Sequence, residues 1–259
     1  MTGPSRDDKV RVLALVPPLA VRLYGDAPEA AMQRLLLLVM ALGIAYAWAA
    51  LFTRPVARSA GWELSAFAMM FTVLLPGPVG WGGAALALSF GTVFGREIFG
   101  GRAILPPALL GLAFAIFSFP GGGFEARGMQ AQTPDFLFAA ACLPGAAVLM
   151  FRGSLAWQVA AGAVAGTAAT GLLMGTPAWW LQPGLGAFAA AVLFLAAAPE
   201  SAVAGWAARW LHGILVGSLI VVIRLANPDH PDGVVFAALL GGLFAPWLGR
   251  ALGWRPRHG

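Results

Sequence analysis

Few residues in this 259-residue chain could do chemistry, and their spacing narrows the choice quickly. Asp229, His230 and Asp232 have a superficial look of a metal cluster, but they flank Pro231 just ahead of an apolar run, where Asp232 suits a helix N-cap. His212, His230 and His258 are too scattered for paired haem ligation. The single cysteine, Cys142, can build neither an intrachain disulfide nor a thiolate metal site. The chain has no P-loop, no dinucleotide-binding glycine fingerprint and no nucleophile paired with a base, so no direct NAD(P)H site is expected. What remains is a set of charges at the ends of apolar runs, Glu63, Arg96, Glu97 and Glu200, and one polar stretch, "ARGMQAQTPD", Ala126 to Asp135. That stretch carries a lone hydroxyl, Thr133, in a Thr-Pro-Asp sequence.

The elements that would position these groups are apolar. Hydrophobic residues make up 59% of the chain and charged residues 10%, with a mean hydropathy of +0.80. A soluble domain carries about 25% charged residues. Apolar runs near 20 residues, long enough to cross a hydrocarbon layer about 30 Å thick, recur throughout. The expected fold is an all-α polytopic membrane protein forming a single domain over residues 1–259, with spans near 12–25, 33–53, 62–77, 80–95, 104–120, 136–151, 154–174, 184–199, 210–226 and 233–251. With both termini in the cytoplasm, twelve Lys and Arg residues fall inside and four, Arg22, Arg34, Arg127 and Arg224, fall outside. The net charge of +5 then reflects retention of basic residues on the inner face, with no nucleic-acid partner implied. The polar N-terminus "MTGPSRDDKVR" gives no expectation of a cleaved signal peptide.

There is also an internal echo. "LSAFAMMFTVLLPGP" from Leu64 and "LGAFAAAVLFLAAAP" from Leu185 share L-x-A-F-A and a later proline, and "ALLGLAF" from Ala108 returns as "ALLGGLF" from Ala238. About ten transmembrane helices in two five-helix halves are expected, near 1–125 and 136–259, joined by an outer loop over 121–135. An odd number of spans per half makes the second inverted relative to the first. Small-residue runs such as "GAVAGTAATG" from Gly162 let helix backbones approach closely, and could also leave room for a flat ligand. Ser65, Thr72, Thr167 and Thr170 would by default bond carbonyls of their own helices.

Several segments, in order, resemble the RnfD/NqrB family: the D subunit of the Rnf electron-transport complex and the B subunit of the Na+-translocating NADH:quinone oxidoreductase. "HPDGVVFAALLGGLFAPWLGR" (His230 to Arg250) is similar to that family's last helix, which opens Tyr-Pro-(Asp/Glu)-Gly-Val-Ala-Phe-Ala. "IFGGRAILPPALLGLAFAIFSFP" (Ile98 to Pro120) resembles its Phe-Gly-Gly-x-Gly-x-Asn-x-Phe-Asn-Pro-Ala stretch, and the segment from Leu185 resembles Leu-Gly-Ala-Phe-Phe-x-x-Thr-Asp-Pro-Val. The family's outer loop reads Asp-Gly-x-Ser-x-Ala-Thr-Pro, and its threonine carries FMN through a phosphoester. "RGMQAQTPD" aligns with it, placing Thr133 at the flavin position and retaining Gly128 and Pro134. It departs at Arg127 for aspartate, Gln130 for serine and Gln132 for alanine, and Thr-Asp-Pro becomes Ala197-Ala198-Pro199.

The resemblance implies a membrane subunit for flavin-mediated electron transfer, with FMN or riboflavin as cofactor and other subunits of a membrane redox complex as partners. It also implies an inner-membrane location and a complex that translocates ions. Cofactor-binding residues would be Thr133, Arg127, Gly128 and Pro134, with Arg127 able to hold a phosphate without a covalent bond. A diverged relative serving a biosynthetic or other oxidoreductase pathway is one alternative, favoured by the altered loop. A solute transporter or channel built on the same inverted halves is another. Glu63, Arg96, Glu97 and Glu200, at span ends, can be solvated, snorkelling or paired with one another, and interfacial anchoring is the first expectation for Arg96 and Glu97.

Overall fold

The computed structural model describes residues 4–52, 58–75, 80–101, 103, 105–119, 135–176, 179–185, 187–198, 201, 203, 205–227 and 233–252. The described residues are overwhelmingly helical. The chain opens with α1 (Pro4–Ala14) and α2 (Val16–Gly25), which would be one helix but for Pro17 and Pro18. Neither proline has an N–H to bond back to the preceding turn, so the ladder breaks at Leu15 and resumes with Leu19 N–H donating to Leu15 O at 3.1 Å. Next come α3 (Pro28–Phe52), α4 (Arg58–Leu74), α5 (Trp81–Gly95) and α6 (Pro107–Ser118). The second part contains α7 (Phe136–Phe151), α8 (Trp157–Leu173), α9 (Phe188–Ala191), α10 (Trp206–Ala226) and α11 (Gly233–Ala251). α9 continues into a π-helical turn, Val192–Ala196, closed by Ala197 N–H donating to Val192 O at 2.9 Å.

Three helices, α3, α10 and α11, are each long and apolar enough to cross a membrane. α4, α6 and α7 are shorter apolar helices. Exposed leucines, phenylalanines and tryptophans are spread over the outside, while Phe71, Phe138, Leu88, Leu109, Leu112 and Ile220 fill the centre. An apolar exterior around an apolar core is what a bilayer solvent requires.

Cross-helix bonds order the bundle end to end. Arg34 near the start of α3 reaches the last carbonyls of α4, and Glu63 near the start of α4 pairs with Arg96 just past α5. Asp7 in α1 faces Arg152 at the end of α7, and Arg22 in α2 faces Asp135 at the start of α7. α3 and α4, and α4 and α5, therefore run in opposite directions, as do α7 and the interrupted α1–α2 helix. The neighbour relations also recur: α4 packs on α1, α3 and α6, and α5 on α3 and α6. In the second part the α9 segment packs on α7, α8 and α11, and α10 on α8 and α11.

The small residues are spent on close packing. A Cβ on Gly217 in α10 would stand 2.0 Å from Ala163 O in α8, and one on Gly166 in α8 2.3 Å from Ile214 O in α10. Apolar association gains little inside lipid, so backbone approach and interhelical hydrogen bonds hold such pairs. Thr167 Oγ1 lies 2.7 Å from Ala163 O and 3.3 Å from Gly217 O, and Thr170 bonds Ser218 at 2.9 Å. Ser65 and Thr72 donate to carbonyls four residues back, as expected of hydroxyls inside helices.

Candidate functional site

Arg127, Gly128, Thr133 and Pro134 all lie outside the described residues, as do Glu200, Asp229, His230 and Asp232. The structure instead describes the start of α7, the helix that follows Thr133 and Pro134 in the chain. Asp135, the residue after Thr-Pro, caps α7: its Oδ1 accepts from Phe138 N–H at 2.9 Å. Its own N–H donates to Gly184 O at 2.8 Å, at the end of a short 3-10 segment (Trp179–Gly184) leading to α9. Its Oδ2 faces Arg22 Nη1 at 3.5 Å, and the Arg22 guanidinium carbon lies 3.8 Å from the centre of the Phe138 ring. Three separate pieces of chain thus converge on one residue.

The same end of the bundle holds two more arginines, both buried. Arg34 Nε is 2.6 Å from Asp26 Oδ2, and Nη1 donates to Thr72 O at 2.9 Å and Leu75 O at 3.4 Å. A cation there complements the carbonyl end of α4. Arg224 donates from Nη1 to Gln182 Oε1 at 2.6 Å and from Nη2 to Leu185 O at 3.0 Å. These side chains, legible in the sequence only as outer-side charges, pin the non-helical backbone at this end.

At the opposite end lies a cleft with about 770 Å³ of empty space, part of it open to solvent. Its rim carries Asp8, Arg11, Glu63, Arg96 and Ser154; its floor is apolar, with Leu64, Phe67, Met70, Phe194 and Leu195. Arg96 organises the rim. Its Nε and Nη2 reach the two oxygens of Glu63 at 3.2 and 3.4 Å, and Nη1 forms a short hydrogen bond with Glu97 Oε1. A guanidinium fork matched to a carboxylate in this way is a strong, oriented contact. Burial by itself would lower the Arg96 pKa; Glu63 and Glu97 outweigh it and hold the value above the ordinary one, so the group stays charged. Gly100 and Gly101, at φ 71° and 79°, take left-handed turns that carry the chain back, letting Gly101 N–H donate to Arg96 O at 3.2 Å.

This corrects the anchoring expectation. The side chains of Arg96 and Glu97 are 6% and 0% exposed, so they form an internal ion-pair network. The adjacency of Arg96, Glu97 and the Gly-Gly turn is visible in the sequence, but Glu63, 33 positions away, could be joined to them only by the fold. Elsewhere, His212 is fully buried in α10 and Cys142 in α7. Among the described residues no three His, Cys, Asp or Glu side chains gather as a metal site.

A profile of the NQR2, RnfD, RnfE family matches residues 8–125 and 127–256. Among curated proteins, the chain is similar to the B subunit of the Na(+)-translocating NADH-quinone reductase of Klebsiella pneumoniae, at 30% identity covering 69% of this chain and 56% of that protein. The corresponding protein of Azotobacter vinelandii is 29% identical over 70% of this chain and 57% of its own length. That of Pseudomonas aeruginosa is 28% identical over 70% and 57%. The chain thus spans a little over half the length of the curated relatives it matches. By the extent of the family match, which runs through nearly the whole chain, this protein belongs to the NQR2, RnfD, RnfE family.

Proposed function

We propose that this chain is a multi-pass inner-membrane subunit of a redox complex and that it passes electrons through a flavin, in the manner of an Rnf D subunit. The observation that carries this is the near-complete family match, with Thr133-Pro134 standing where the family resemblance puts the flavin-bearing threonine. The recurring neighbour relations support a reading as two inverted five-helix halves, since the paired "L-x-A-F-A" stretches fall in α4 and at the start of α9, and the paired "ALLG" stretches in α6 and α11. In this topology both termini and the Arg96 cleft face the cytoplasm, while Asp135 and the loop before it face outward.

The residues present fit a tethered flavin chemically. A phosphoester needs one hydroxyl, which Thr133 supplies, and the Asp135 contacts fix the chain two residues downstream. Arg127, where the family has aspartate, adds a cation that can bind a phosphate, so FMN rather than riboflavin suits a tether here. When bound, the flavin would supply one-electron transfer between partner centres. Arg127, Gln130, Gln132 and the Ala197-Ala198 pair favour a second reading, in which the same fold serves a different oxidoreductase pathway.

The test is the flavin content of protein co-expressed with a flavin transferase, beside Thr133→Ala. Fluorescence that survives a denaturing gel in the parent and vanishes in the variant is expected. A yellow protein that releases its flavin on denaturation would replace the tether by a non-covalent site. Protein with no flavin in either state would overturn the electron-transfer reading in favour of transport or accessory roles.

A further inference from the structure

We propose that the cleft at the Arg96 end of the bundle binds an ethanolamine phospholipid of the surrounding membrane, with an acyl chain on its apolar floor, the ammonium at Glu63 and the phosphate at Arg11. Its empty space of about 770 Å³ falls within the span, roughly 300–1,000 Å³, of small-ligand sites. Below the rim the described walls are apolar, with Leu64, Phe67, Met70, Phe194 and Leu195 among them. The hydroxyl of Thr92 there already donates to Leu88 O at 2.8 Å. Pro106 and Pro107 have no N–H to offer, and Pro106 O accepts from Leu109 N–H at 2.9 Å. Such walls suit a hydrocarbon chain, and among the described residues no side chain below the rim is left to hold a polar ring.

The rim selects the head group. Arg96 is shared by two carboxylates, Glu63 and the fully buried Glu97. Glu63 is the exposed member, at 32%, and its two oxygens accept from Arg96 at 3.2 and 3.4 Å. A carboxylate has about four acceptor sites, so Glu63 can take further N–H donors from the cleft. Lys9 does not fill that place: its ammonium sits over the Trp62 ring, 5.3 Å from the centroid, and it does not line the cleft. Arg11 stands on the same rim, 3.8 Å from Asp8, and a guanidinium matches the geometry of a phosphate. A rim that pairs a carboxylate with a guanidinium fits a zwitterionic head. An ethanolamine ammonium brings three N–H donors to Glu63, whereas a choline head brings none and a glycerol head brings no cation.

The experiment incubates the full-length chain in detergent with equal amounts of dioleoyl phosphatidylethanolamine, phosphatidylcholine and phosphatidylglycerol, then washes it. Retained lipid per protein is measured by mass spectrometry, and Tm is recorded before lipid is added. The parent is expected to retain the ethanolamine lipid roughly tenfold over the other two, the scale of one hydrogen bond to a charged group. Glu63→Gln should lower the ethanolamine lipid to the choline level, and Arg11→Gln should lower both. Ala66→Phe, which fills the cleft from α4, should abolish retention of all three. The parent's preference needs no substitution, so a variant that folds poorly still leaves the inference open to refutation. Equal retention of the three lipids by the parent, a preference for phosphatidylglycerol, or undiminished retention in Ala66→Phe would each overturn it. So would displacement of the lipid by added riboflavin or by a quinone, which would make the cleft a redox-cofactor site.

Discussion

Gly217→Ala is expected to destabilise the protein by about 1–3 kcal/mol, the cost of overpacking a close-packed site, and is a candidate to prevent folding altogether. The sign is informative, because alanine inside a helix ordinarily gains up to about 1 kcal/mol over glycine. Here the added methyl would lie 2.0 Å from Ala163 O and 2.8 Å from Thr167 N, both backbone atoms of α8 that no rotamer change can move aside. Separating the helices would also lengthen the approach of Thr167 Oγ1 to Gly217 O, now 3.3 Å. Gly43→Ala is the control: it is in α3 with nothing within 4 Å of the new atom, so it should leave Tm unchanged or raise it. Thermal unfolding of both variants in the same detergent decides the matter. Equal Tm values would mean that α8 and α10 do not approach as closely as described.

That seam shows how far the sequence could be read. The run "GAVAGTAATG" was open to two uses, helix packing or a slot for a flat ligand, and the backbone contacts of Gly162 and Gly166 assign those positions to packing. The apolar runs gave α5, α7 and α11 to within a residue, whereas α3 and α4 begin five and four residues before the expected spans and the span expected over 184–199 holds only the short α9 and its π turn. Hydropathy alone could not show the break at Leu15 or the π turn over Val192–Ala196. The first depends on two missing N–H donors, and the second on a hydrogen-bond register that apolar residues do not encode.

Polar residues were legible by type and side, and much less by role. Arg34 and Arg224 read as charges on one face, yet each spends its guanidinium on carbonyls and side chains far along the chain. Non-helical backbone at the end of a lipid-embedded bundle has to find partners, and long cationic side chains are suited to supply them. Thr133 was recognisable only through the sequence around it, and its neighbour Asp135 drew notice only as the end of that run. The three contacts converging on Asp135 come from positions 22, 138 and 184, a combination no local pattern contains.

At the cleft end of the bundle, Arg96→Gln is expected to cost about 3–5 kcal/mol, the range for removing one partner of a buried ion pair. The substitution deletes the cation that both Glu63 and Glu97 face. Glu97 drives the penalty, because its side chain is fully buried, whereas Glu63 is 32% exposed and can recover hydration. Arg96→Gln/Glu97→Gln should therefore regain most of the lost Tm, while Arg96→Gln/Glu63→Gln should regain little. If the two double variants recover equally, the network is a surface pair and the burial argument fails. Flavin loading per folded molecule gives an independent check. The cleft and the Asp135 contacts lie at opposite ends of the bundle, and effects at well-separated sites add. If the chain carries flavin as proposed, Arg96→Gln should thus lower the yield of folded protein without changing its flavin ratio. A fall in flavin ratio with Arg96→Gln would instead tie the two ends together through α4 and α5, making the cleft part of the same working unit as the segment before Asp135.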